Sequence, residues 1–143
     1  MVFHHSTAFK SLFISLLFLL ISCTEEEVKM PTDVDITVAF FDAIYNEKDL
    51  DTVLLYSSSS FKEEIRKYKT VSNVARRMLN LSFDSVSVNT QKSGAKVIDE
   101  FNEEVTMTVL LTGKRNERIF KEVKRIQLIK IHNVWLVNKL IEE

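Results

Sequence analysis

Cysteine is nearly absent. Cys23 is the single residue of its type among 143, which excludes a disulfide framework within the chain and every multi-cysteine metal site. Histidine is almost as scarce: His4 and His5 sit at the extreme N-terminus and His132 stands alone in the remainder, so histidine-based catalysis and metal binding lose most of their material. Two glycines and one proline exclude collagen-like and low-complexity architectures, and no Gly-rich phosphate loop or nucleophile elbow is present. Nor is there a strong excess of one charge. Beyond residue 22 the chain holds 18 Lys plus Arg against 20 Asp plus Glu, a net charge of −2, whereas a general nucleic-acid binder usually shows a basic domain or stripe. What remains is 45% apolar and 27% charged residues, a composition that buries one modest core.

Residues 1–22 carry Lys10 and no acid, and Leu12 to Ile21 form an apolar run of ten. Ten helical residues rise about 15 Å where a bilayer core needs about 30 Å, so the run suits an export signal better than a membrane span. It ends in Leu20-Ile21-Ser22-Cys23, a motif that resembles the lipobox of bacterial lipoproteins: an aliphatic residue, a tolerant position, a small residue, then Cys. The resemblance implies that the Cys23 thiolate takes a diacylglyceryl group and that a peptidase cuts after Ser22. An ordinary secretory signal with an incidental Cys, or an uncleaved anchor, is the plainer alternative. Thr24, a residue other than Asp, implies the periplasmic face of the outer membrane if the source is Gram-negative. Residues 23–32 are acidic and aperiodic, a lipidated tether whose nine residues from Thr24 to Thr32 reach about 30 Å when extended.

From residue 33 to 143 the pattern is that of one domain. Pro31-Thr32-Asp33 marks a helix start with Thr32 or Asp33 as its cap, and Val34, Thr37, Val38, Phe41 and Tyr45 fall on one helical face that Ile36, Phe40, Ala43 and Ile44 widen. Asp49 is the expected cap of a short helix through Leu50, Val53, Leu54 and Leu55. Ser60-Phe61-Lys62-Glu63 has the form of a capping box for a third helix carrying Phe61, Ile65 and Tyr68. Val71, Val74, Ala75, Met78 and Leu79 form a fourth. Then the period changes to two: Val86 and Val88 begin a strand, Gln91 to Gly94 are read as a turn, and Val97 to Phe101 as a further strand. Val105, Met107, Val109 and Leu111 alternate with threonines, Gly113 to Asn116 turn, and Ile119 to Ile131 form a long strand whose apolar parity slips near Val123 to Ile126, which suggests a bulge. His132-Asn133 suits a two-residue hairpin before Val134 to Ile141.

Helices first and strands after give an α+β fold, with N-terminal helices packed on a bent antiparallel sheet of four to five strands. This order, together with Val38-Ala39-Phe40-Phe41-Asp42-Ala43-Ile44, the Glu47-Lys48-Asp49-Leu50-Asp51 turn and Val134-Trp135-Leu136-Val137, resembles the nuclear transport factor 2-like, cone-fold family. His132-Asn133 stands where family members usually carry an acidic-Gly turn. Enzymes of that fold place an Asp with a His or Tyr inside the cone, but Asp42 falls on the polar strip of its helix and His132 in a turn, so no catalytic residue is assigned.

Phe41, Tyr45, Tyr56, Tyr68 and Trp135 are candidate pocket-lining residues, with plain core filling as the competing reading. Charge is uneven. Nine acids lie in residues 24–55, while Lys114, Arg115, Arg118, Lys121, Lys124 and Arg125 make the long hairpin basic. Pairing with Asp99, Glu100, Glu103 and Glu104 across the strands is the expectation, with a docking surface for an anionic partner as its rival. The expected protein is therefore a lipid-anchored envelope binding module without catalysis and without a cofactor. Its expected partners are the membrane, through Cys23, and an anionic or protein partner in the envelope, not nucleic acid. A small cone-fold enzyme using a buried Asp or Tyr, or a purely structural lipoprotein, are the alternatives.

Overall fold

A computed structural model describes residues 29–99 and 102–141. The export signal, the lipobox with Cys23 and most of the tether lie outside the described residues.

Helix α1, Asp33–Asp42, begins at Thr32, whose hydroxyl accepts from Asp35 N while Asp35 Oδ2 accepts from Thr32 N at 2.8 Å, a reciprocal capping box. The helix then widens into a π turn, Ala43–Glu47, which ends at Lys48 in the left-handed region. Its inward stripe runs through Asp33, Ile36, Thr37, Phe40, Phe41 and Ile44, the i, i+3, i+4 spacing of a core face. The sequence reading centred that face one step away, on Val34 and Val38. Val34 is in fact exposed, because Asp33 turns inward to meet Lys92 on the sheet.

Helix α2, Leu50–Leu55, is capped by Asp49 as expected. Helix α3, Ser59–Arg66, is capped by Ser58 rather than Ser60. The serine run has a second duty that forces this shift: Ser57 and Ser58 pair with strand β4, Val134–Ile141, through Ser58 N to Val137 O and Val137 N to Tyr56 O, both at 2.8 Å. Both serines are buried, with Ser57 Oγ donating to Val53 O and Ser58 Oγ to Asn138 Oδ1, so their hydroxyls stay satisfied. Helix α4, Val71–Asn73, runs into a second π turn, Val74–Met78, that buries Val74 and Ala75.

The helices lie on one face of an open antiparallel sheet ordered β1-β2-β3-β4, with β1 Ser85–Val97, β2 Glu103–Arg115 and β3 Arg118–Ile131. The sheet has four strands. Gln91 to Gly94 do not turn: β2 offers β1 a partner along its whole length, and Ser93 is accommodated as a bulge where the register shifts between Lys92 and Gly94. The β2–β3 turn is Asn116-Glu117, both at positive φ, and Gly113 lies inside the strand. Val105, Met107, Val109 and Leu111 are all buried while Thr106, Thr108 and Thr112 alternate with them on the other side, as the period-2 pattern predicted. The parity slip in β3 is not a bulge against β2, since that register is unbroken from Glu103↔Lys130 to Arg115↔Arg118. Ile126 and Leu128 face the helices, and Ile119 and Val123 take the opposite face. The irregularity falls instead between β3 and β4, where Asn138 is the extra residue between the pairs Gln127↔Lys139 and Leu128↔Val137.

Candidate functional site

The five aromatic residues singled out from the sequence do not converge. Phe41 is wholly buried in the core and meets Phe40 edge-on at 5.4 Å between ring centroids. Tyr56 closes α2, where its carbonyl serves Val137. The other three line three separate depressions.

Tyr45 floors a shallow one of about 180 Å³ with Lys48, Ser72 and Phe83. Its ring is almost fully buried, its hydroxyl donates to Leu81 O at 3.3 Å, and burial pushes the phenol well above the usual tyrosine range. Such a group stays protonated and is a fixed donor, not a base.

Tyr68 borders a groove of about 500 Å³ with Glu64, Met78, Gln127 and Lys139. This lies beside β4, at the sheet edge bordered by α3 and the second π turn.

Trp135 borders the third, of about 320 Å³, together with Met30, Pro31, Asp33, Lys92, Lys130 and Asn133. Here the chemistry is densest. Lys92 Nζ is 2.5 Å from the buried carboxylate of Asp33, whose other oxygen accepts from Val34 N. Lys130 Nζ lies 5.5 Å from the Trp135 ring centroid and 3.3 Å from Glu103. The first pair ties the start of α1 to β1, and the second ties β3 to its neighbours on both sides, so each charge is engaged in holding elements together. Sequence reasoning missed Asp33, Lys92 and Lys130. They come from segments about 40 to 60 residues apart, and the sequence pattern puts Lys92 in a turn, so no local spacing joins them.

The space between helices and sheet is packed by Phe40, Phe41, Phe61, Ile65, Met107, Leu111, Ile126 and Leu128, each at most 1% exposed, which favours core filling over an open chamber for the aromatic set. Among the described residues no group of three His, Cys, Asp or Glu is placed to hold a metal ion. Asp42 accepts from Asn46 Nδ2, and Asn46 in turn bridges to both backbone groups of Val86, so that carboxylate helps to pin the π turn to β1. His132 is exposed in its turn.

The basic hairpin is not neutralised as expected. The register sets Glu103 and Glu104 opposite Lys130 and Ile129, at the end of the sheet away from Lys121 and Arg125, which face Thr112 and Thr108. Among the described residues the cross-strand ion pair is Lys130 with Glu103. Glu100 lies outside the described residues.

Comparison with known protein families, with curated proteins and with solved structures returned no match to this chain.

Proposed function

We propose that the protein is a lipid-anchored module of the cell envelope that works by binding through its surface rather than by catalysis. The observation that carries the reading is Leu20-Ile21-Ser22-Cys23, which places the only Cys of the chain directly after a short apolar run and a small residue. Acyl chains on Cys23 would give stable membrane attachment where a ten-residue apolar helix is too short to span. The order of helices and strands supports a cone-fold resemblance, and the filled interior supports a surface-binding role over proton transfer in a chamber. Tyr45 would be the tyrosine of an enzymatic alternative, yet its burial and its bond to Leu81 hold it as a donor.

The test is Cys23→Ser in the full chain, with metabolic labelling by a radioactive fatty acid and membrane fractionation. Loss of the label together with release or mislocalisation of the protein is the expected result. Unchanged membrane partitioning of the variant would refute the anchor.

A further inference from the structure

We propose that the face of the sheet turned away from the helices docks flat on an anionic lipid surface. The inference deepens the envelope reading and rests on it for nearness to a bilayer.

The strand register defines this face. On β2 and β3, the residues that alternate with the buried set include Lys114, Ile119, Lys121, Val123 and Arg125. An antiparallel sheet with one bare face ordinarily turns mixed polar residues to water. Here the half of the face near the β2–β3 turn is cationic and aliphatic. Ile119 is 71% exposed and Val123 48%, and among the described residues no acid is within ion-pair distance of Lys114, Lys121 or Arg125. The acids that could have neutralised them, Glu103 and Glu104, are held at the other end of the ladder.

Cations interleaved with aliphatic side chains match a lipid–water interface, where ammonium and guanidinium groups meet phosphates while their stems and the aliphatics lie along the acyl boundary. Lys121 and Arg125 are four residues apart on one strand, roughly 13 Å at about 3.3 Å per residue, beyond the Debye length of about 8 Å at physiological salt. A laterally continuous sheet of phosphate charge answers such spread cations together. Nucleic acid fits poorly, because single-strand binders stack bases on aromatic rings, and the aromatics of β3 and β4, Phe120 and Trp135, share the helix-facing parity.

The experiment uses the full-length, membrane-extracted protein inserted into preformed vesicles of phosphatidylcholine alone or of phosphatidylcholine with phosphatidylglycerol. A membrane-impermeant acetylating reagent reports each lysine by mass spectrometry. Lys114 and Lys121 should react several-fold more slowly on the anionic vesicles, while Lys62, Lys67 and Lys69 of the helical layer react equally on both. The protection should fade in 0.5 M salt, and Lys121→Gln with Arg125→Gln, both exposed, should weaken it by roughly fivefold per cation removed, the Boltzmann equivalent of the usual surface attraction. Equal lysine reactivity on the two vesicle types would overturn the proposal. So would protection that grows with protein density on neutral vesicles, the signature of a second copy covering the face. The mass of the Cys23 peptide separates the two readings. An unacylated Cys23 with anionic protection intact would remove the anchor and uphold the docking face; an acylated Cys23 without protection would uphold the anchor and overturn the face.

Discussion

The ring of Phe83 lies directly on Gly113: a methyl group placed at Gly113 would sit 2.3 Å from Phe83 Cγ. Phe83 also contacts Tyr45 at 5.8 Å and stacks on Phe120 at 6.5 Å between centroids, so the segment entering β1 clamps a row of rings across the sheet, and only a residue without a side chain fits beneath.

Gly113→Ala should therefore destabilise the fold by about 1–3 kcal/mol through overpacking. Phe83→Ala alone should also destabilise, but the double variant should cost less than the sum of the two by at least about 0.5 kcal/mol, since the clash disappears with the ring. Urea denaturation of the four proteins completes the cycle. Additive costs would mean that the ring moves aside without penalty.

The β3–β4 turn offers a contrasting pair. His132 and Asn133 have φ of 48° and 66°, the left-handed pair of a type I′ hairpin, in which Asn is favoured. His132→Asn should leave stability within about 0.5 kcal/mol of the parent. Trp135, three residues on, is 9% exposed, and Trp135→Ala should cost about 3–5 kcal/mol. Comparable losses for the two variants in chemical denaturation would reveal a buried turn and reopen a role for His132.

The pH dependence has two limbs. Burial raises the Tyr45 phenol in the folded state, so its contribution is intact below the unfolded value of about 10 and is lost as pH climbs above it, where only the unfolded chain ionises. Tyr45→Phe should flatten this alkaline loss and cost about 1 kcal/mol at neutral pH for the missing bond to Leu81. On the acid side, hydrogen bonds from Thr32 hold the Asp35 carboxyl below its usual range, and those from Thr52 and then Asp51 do the same for Asp49. Depressed carboxylates stabilise the fold above about pH 3.9, and the contribution disappears as pH falls through their lower folded values. Thr32→Val should remove only the smaller, hydroxyl share of the Asp35 contribution, because the larger share comes from the Thr32 backbone N–H, which valine retains. Denaturation midpoints measured from pH 2 to 11 on parent and variants show both limbs; an alkaline limb in Tyr45→Phe identical to that of the parent would reject its assignment.

Features carried by local physics were legible in the chain. Thr32 and Asp49 cap helices because a short side-chain oxygen beside free backbone donors needs no distant partner. The alternation of Val105, Met107, Val109 and Leu111 fixes which side of β2 is buried, since a one-residue slip would expose the whole set. His132-Asn133 forms its turn for the same local reason. The α+β class follows from the order of these periods along the chain.

Tertiary contacts decided the rest. Ser93 bulges instead of turning because β2 continues beside it, Ser58 displaces Ser60 as cap because β4 demands a partner at Val137, and Gly113 is a packing residue because Phe83 lies over it. The acidic and basic stretches were visible in the sequence, but whether they neutralise each other depends on register. The β2–β3 ladder sets Glu103 beside Lys130 and leaves Lys121 and Arg125 facing threonines. Composition counts charges without placing them, and an ion pair exists only where two strands bring its members within a few ångströms.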